Sequence, residues 1–287
     1  MTVAGAPEAR AIDLHMHSTA SDGSQSPEAV VAAARAAGLS AIALTDHDTV
    51  AGVPAALAAA EGSALRVIAG VELSAYQGED ETHLLGLHLA QVDRMDEDLE
   101  VFRVARRERG ARMVERLNAI GVRITFEDVL QAAGGGAVGR PHVAKALVEN
   151  GWARDFRDAF DRYLGQGRPA CLEKRRLGLR DAIAMVHAAG GLAVLAHPGP
   201  EGTLTRLTAL KGMGLDGVEV LHPGHSAEDR KRLLAIAEAL DLVPSGGSDS
   251  HGATTGPRAI GSQHVPADWL ERQERALARV REAPAPA

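Results

Sequence analysis

The chain has 287 residues, 45% of them hydrophobic but only 3% aromatic, with a formal net charge of −7 and one cysteine, Cys171. That length can bury a large core, while a lone cysteine excludes an internal disulfide framework and fits a reducing cytosol, the expected location. The acidic balance argues against long duplex DNA as the main partner, because counterion release needs many basic contacts, and no uncharged apolar run approaches the length of a membrane span.

The amino terminus, Met1 to Glu8, lacks the basic and apolar regions of a signal peptide. The first organised stretch is Ile12-Asp13-Leu14-His15-Met16-His17-Ser18, followed by Asp22-Gly23. It reads as a short strand running into a polar loop. Residues two apart on a strand share a side, so His15 and His17 aim two imidazoles at one point. Asp22 adds a carboxylate from the loop, completing a ligand set for Zn, Mn or Fe. Ser26-Pro27-Glu28 then supplies an N-cap, a proline at N1 and a first-turn acid for a helix that Gly38 ends. The apolar run Ser40 to Thr45 leads to Asp46-His47-Asp48, and Arg66 to Val71 leads to Glu72. His83 follows the acidic loop Glu79-Asp80-Glu81 and opens the run Leu84 to Leu87.

The middle of the chain changes character. Asp96 to Ile120 is a long helical pattern rich in Arg and Glu. Phe126 to Ala133 is a second, stopped by Gly134-Gly135-Gly136, and Pro141 to Glu149 and Asp155 to Tyr163 are two more. No strand pattern interrupts them, whereas strand and helix alternate on either side. The expected organisation is a barrel over residues 11–95, a helical insertion over 96–167, and the rest of the barrel over 168–280. Residues 101–180 hold 17 Lys and Arg against 9 Asp and Glu, a net of +8, so the remainder is −15. That basic middle suits a phosphorylated substrate. The alternative is a solvated helix face.

Beyond it, Leu192 to Ala196 ends at His197-Pro198, and Leu242 to Ser245 leads into Gly246-Gly247-Ser248-Asp249-Ser250-His251-Gly252. The tail from Glu282 is expected to fray. The recurring pattern is an apolar strand with a His or an acid at its carboxyl end, the edge where α/β folds and barrels bind ligands. His15, His17, Asp22, His47, Glu72, His83, His197, Asp249 and His251 make nine candidate ligands. At roughly four to six ligands per ion they suit about two or three ions, with Glu72 or Asp249 able to bridge. His88, His187 and His264 lack such a setting and read as structural or surface residues, as does Cys171.

These segments resemble the PHP (polymerase and histidinol phosphatase) family. The matching pieces are Asp13 to Ser18 with Asp22-Gly23, Leu44 to Thr49, Gly70-Val71-Glu72, Ala196-His197-Pro198, Gly217 to Val220 and Gly247 to Gly252. The resemblance implies an α/β fold, a distorted (β/α)7 barrel holding up to three divalent ions at its carboxyl-end face, with Mn expected and Fe or Zn open. All nine ligand positions of the family are filled. Ser250 departs from the aromatic residue common in relatives; lying between two ligands, it is expected to point away from the metals.

Val138 to Ala144, Ala188 to Pro198, Val218 to Val220 and His225-Ser226 are further similar to a bacterial subgroup of 3',5'-nucleoside bisphosphate phosphatases and 5'-to-3' exoribonucleases. That implies a small nucleotide or a short single-stranded RNA as substrate, with water activated by the ions as nucleophile. Arg140 offers a planar fork for a phosphate, against a structural ion pair. His142 is open between substrate contact and helix cap, and His225 between a proton donor to the leaving oxygen and a plain loop histidine. Other readings are a histidinol-phosphate phosphatase or polymerase-type exonuclease of the same family, an amidohydrolase, and a non-catalytic metal-binding module.

Overall fold

The computed structural model describes residues 11–134, 138–173 and 175–282. The expectations for the amino terminus, the Gly135-Gly136 stop and the tail beyond Glu282 lie outside the described residues. The chain divides into two compact units, Met1–Asp96 with Leu177–Ala287, and Glu97–Arg176.

The first unit is built on β1 (Ile12–Asp13), α1 (Pro27–Ala36), β2 (Ala41–Leu44), α2 (Val53–Ala60), β3 (Arg66–Gln77) and β4 (Asp80–Leu87). Helix α3 (Val92–Ala119) begins here and runs across the boundary. The sheet order is β1-β2-β3-β4-β6-β7-β8, with β5 paired to β3. The later strands are β5 (Leu177–Gly178), β6 (Leu192–Leu195), β7 (Gly217–Leu221) and β8 (Val243–Gly246), and the helices between and after them are α7 (Leu179–Ala188), α8 (Leu204–Lys211), α9 (Ala227–Ala239) and α10 (Asp268–Glu282). β4 runs antiparallel to both β3 and β6, while the other pairs are parallel.

Sequence explains the layering. β2 and β6 are buried along their whole length, as strands covered on both faces must be. Val30, Val31 and Ala34 of α1 and Ala56 and Ala60 of α2 share one apolar cluster with Ile42 and Leu44 of β2. Ser26 caps α1 by accepting the Ala29 N–H, and Pro27 occupies the first turn, where no N–H is needed.

The sheet nearly closes into a barrel where the chain beyond β1 meets the chain beyond β8. Leu14 N donates to Gly246 O at 3.0 Å, Asp249 N to His15 O at 2.8 Å and His17 N to Ser250 O at 2.9 Å. This seam requires glycine: a Cβ on Gly247 would stand 2.4 Å from the Cβ of His15 and 2.5 Å from its backbone nitrogen.

The second unit holds the rest of α3, then α4 (Phe126–Ala133), α5 (Arg140–Glu149), α6 (Phe156–Ala159) and a π-helical turn (Phe160–Leu164). None of its described residues forms a strand. Its core includes Met113, Leu117, Val129, Val143, Leu147 and Leu164. Thr125 and Asp128 close a capping box at the start of α4, and Gly134 ends that helix in a left-handed conformation, φ 58°. The helix expected over Asp155 to Tyr163 is a short α turn capped by Asp155 that widens into the π turn.

Gly247→Ala should destabilise the protein by about 1–3 kcal/mol, because the seam is overpacked at backbone atoms that cannot swing away. Urea unfolding with a midpoint equal to that of the wild type would contradict this.

Candidate metal centre

Glu72 sits within β3 rather than at its end, since this strand continues past the barrel edge into a hairpin with β4. β4 runs the opposite way, so its beginning, with His83, lies where the parallel strands finish. Ser74 pairs directly with His83 and Glu72 with Leu85, which puts Glu72 and His83 on the same face of the hairpin. His15 and His17 follow β1, His47 follows β2, His197 follows β6, and Asp249 and His251 follow β8. Asp22 comes from the loop before α1.

These side chains converge on Glu72, which is 1% exposed. Its Oε1 lies 2.8 Å from His83 Nδ1 and 3.0 Å from His197 Nε2. Its Oε2 lies 3.1 Å from His15 Nε2, 3.2 Å from His17 Nε2 and 3.3 Å from His47 Nδ1. Asp249 Oδ1 is 3.2 Å from His17 Nε2 and 3.5 Å from His15 Nε2. The third carboxylate, Asp22, is 3.2 Å from His251 Nε2 and 3.8 Å from both His17 and His47.

Three groups of donor atoms have the compactness to hold a cation: His17, Asp22, His47 and His251; His15, His17, Glu72 and Asp249; and His47, Glu72 and His83. His197 is in none of the three but adjoins the third through Glu72.

The donor chemistry fits divalent ions on a specific observation. Both ring nitrogens of His17 are buried without a hydrogen-bond partner. Its Nε2 is close to two carboxylates yet aligned for a hydrogen bond with neither. A buried polar atom left this way is costly, and a cation shared with Glu72 and Asp249 would satisfy it.

The electrostatics agree. Burial alone would raise Glu72, but His15 and the hydrogen bonds around it hold the carboxyl well below the usual range. Asp22 is likewise held at about 2, its partial burial outweighed by His251, His47 and His17. Asp249 is depressed against its own burial by His17, His222, His15 and Arg258. All three carboxylates are therefore ionised at neutral pH, as ligation demands.

Residues 13–190, more than half of the chain, match the PHP domain. The chain belongs to the PHP family. That places it among metal-dependent phosphoester hydrolases. It is 36% identical over 83% of its length to a 5'-3' exoribonuclease of Haemophilus influenzae, covering 89% of that protein. It is 35% identical over 87% of its length to a 3',5'-nucleoside bisphosphate phosphatase of Chromobacterium violaceum, covering 90% of it. A phosphoribosyl 1,2-cyclic phosphate 1,2-diphosphodiesterase of Eggerthella lenta is 34% identical over 84% of this chain and 94% of its own. Among solved structures, a putative metal-dependent phosphoesterase from Bifidobacterium adolescentis superposes with a TM-score of 0.74 at 34% identity, covering 94% of this chain and 98% of that one.

Around the PHP cluster lies a layer of polar residues, buried except for Arg258, beyond the nine expected ligands. Glu219, 0% exposed, faces His15 Nδ1 with one oxygen at 3.0 Å and accepts the His197 N–H with the other at 2.8 Å. It thus fixes the orientation of one imidazole and the backbone of another. Its signal was present in the sequence as a lone acid inside the apolar run Gly217 to Leu221. Asp46 accepts from Ser18 N, Ser18 Oγ and Ser21 Oγ at 2.7, 2.8 and 2.7 Å, securing the loop that carries Asp22. Asp13 accepts from Ser248 N at 2.9 Å and Gly261 N at 2.8 Å. His222 Nε2 is 3.2 Å from Asp249 Oδ2, and Arg258 binds both the carboxylate and the backbone carbonyl of Asp249.

The remaining expectations fall in different places. His225 is buried, its Nδ1 2.9 Å from Val220 O, while its Nε2 accepts the Gly199 N–H at 3.1 Å. Burial pushes its pKa down. The carbonyl takes the only ring proton, so this geometry argues against the proton-donor role and for a positioning one. Arg140 is exposed at the start of α5 in the second unit, and His142 Nδ1 accepts the Gly139 N–H at 3.0 Å, the capping alternative. Ser250 is buried, and its backbone carbonyl serves the seam. His187 pairs with Asp216 at 2.7 Å and His88 with Gln273 at 3.0 Å, both structural contacts. His264 is exposed.

Glu219→Gln should weaken Mn2+ binding by roughly 10- to 100-fold with little change in melting temperature, as read by calorimetry. Because protons compete for the same imidazoles, and neighbouring carboxylates raise His15, His83 and His251 above the ordinary histidine range despite their burial, affinity should also fall as the pH is lowered; a pH-independent titration would contradict ligation by histidine.

Proposed function

We propose that this chain hydrolyses the 3'-phosphate of nucleoside 3',5'-bisphosphates, for example adenosine 3',5'-bisphosphate to AMP, and removes nucleotides from short 5'-phosphorylated RNA. The observation that carries the reading is the buried Glu72, with imidazole nitrogens at both of its oxygens, in a chain similar to a 5'-3' exoribonuclease and a 3',5'-nucleoside bisphosphate phosphatase. The nine residues named from the sequence are the proposed ligands of two or three ions, with Mn preferred. Divalent ions held there lower the pKa of water and offset charge on phosphate oxygens.

The chain's own contribution is arrangement. Glu72 and Asp249 each bring one carboxylate to several imidazoles, and together these residues would hold the cations that offset charge on a phosphate. Glu219 keeps His15 in one ring orientation, and Asp46 keeps the loop of Asp22 in place. The hydroxyls of Ser18 and Ser21 are committed to Asp46 in holding the Asp22 loop, and water is the proposed nucleophile. His225 shapes the wall of the site through Gly199. The exposed Arg140 remains a proposed phosphate contact.

Mn-loaded protein should release phosphate from adenosine 3',5'-bisphosphate and leave AMP, with 5'-phosphorylated RNA assayed in parallel. Chelation should abolish both activities and added Mn2+ restore them. Asp249→Asn should lose at least about 1,000-fold in turnover while keeping its fold, because a carboxylate that would help hold the cations is gone. Phosphate release unaffected by chelator would overturn the reading; activity on RNA alone would narrow it to an exoribonuclease.

His225→Gln should retain the wild-type shape of the pH–rate profile. Loss of its alkaline limb would instead restore the proton-donor assignment.

A further inference from the structure

Beside the cluster a cavity of about 400 Å3 opens, lined in part by Thr82, His83, His197, Glu201 and Arg206. It shares two walls, His83 and His197, with the proposed metal site. Arg206 lies in the first turn of α8. Its Nη2 donates to Thr82 Oγ1 at 3.0 Å and its Nη1 to Glu201 Oε2 at 2.7 Å. A guanidinium has five N–H donors, so these contacts leave three.

The two partners of Arg206 are unlike. Thr82 belongs to β4 and is part of the barrel. Glu201 ends a single 3-10 turn (Gly199–Glu201), and its side chain is 78% exposed against 21% for Arg206. The start of that turn is clamped, because His225 binds Gly199 N and Arg232 donates to Gly199 O at 2.8 Å. The Glu201 carboxylate is therefore the movable member of a fixed frame. An exposed ion pair of this kind contributes little, whereas a phosphate can engage a planar guanidinium through two parallel hydrogen bonds. The other acid on the rim, Glu81, is exposed and lies at the start of β4, beside Thr82.

We propose that Arg206, held by Thr82, receives the non-scissile phosphate of the substrate, and that the Glu201 carboxylate occupies this anion position until substrate displaces it. The inference rests on the bisphosphate reading above and adds to it a specificity residue: a second phosphate is selected by a guanidinium beside, not within, the metal cluster.

The test uses the Mn-loaded full chain with adenosine 3',5'-bisphosphate, and p-nitrophenyl phosphate as a substrate without a second phosphate. Arg206→Gln should raise KM for the bisphosphate by roughly 10- to 100-fold at a nearly unchanged kcat, the scale of a lost charge-assisted contact. Glu201→Gln should lower it severalfold. Neither should alter kcat/KM for p-nitrophenyl phosphate. A merely structural ion pair would move both variants in the same direction and affect both substrates, and that result would overturn the proposal.

If the wild type cleaves no phosphoester, the functional reading fails by itself. Calorimetry with AMP and with adenosine then judges Arg206 alone. Weaker AMP binding by Arg206→Gln at unchanged adenosine binding supports the anion site, and equal AMP binding overturns it.

Discussion

One buried carboxylate organises this molecule. Glu72 presents two oxygens to five imidazoles from four different segments, all within 3.3 Å. Removing so many ionisable groups from water is costly unless they are paired. The arrangement persists only if the segments carrying them end at one edge. The nearly closed sheet provides that edge, and the reversed β4 turns the start of a strand toward it, so a hairpin can contribute both Glu72 and His83. The cost of assembling these groups is the reason a cation is expected among them.

Rigidity comes from the next layer out. Asp13, Asp46 and Glu219 are each almost fully buried, and each accepts two or more hydrogen bonds from the loops that carry ligands. Satisfied polar networks of this type specify one geometry where an apolar core would tolerate several. Two of the proposed ligands also need unusual backbone: His197 has φ 27° and Asp249 has φ 49°. Residues other than glycine adopt such values rarely and only when their surroundings insist. Here the Glu219 oxygen on His197 N and the His15 carbonyl on Asp249 N are that insistence.

Much of this was legible in the sequence, for reasons that differ by residue. His15 and His17 stand at strand spacing, and each of His47, His197 and Asp249 follows an apolar run, so alternation alone predicts that they face the same edge. The barrel class followed from that alternation together with the matching motifs. The direction of β4 was not legible, because a hydrophobic pattern reads the same both ways. Nor was the state of His225, since composition does not say which ring nitrogen is already engaged. Arg206 looked like any cation on a helix surface; its meaning depends on Thr82, 124 positions earlier. Glu219 was readable in principle, since an acid inside an apolar strand must find a partner.

The seam between the two ends of the barrel has a kinetic consequence. Glu72 and His83 are brought together by a local hairpin, a contact of short range that forms quickly. His15 and Asp249 meet across more than two hundred residues, including the whole second unit, and loop closure must precede any gain from their contacts. The half of the site around the hairpin should therefore assemble early in folding and the half around the seam last. A chain still emerging from the ribosome would hold Glu72 ready long before Asp249, its proposed fellow ligand, exists.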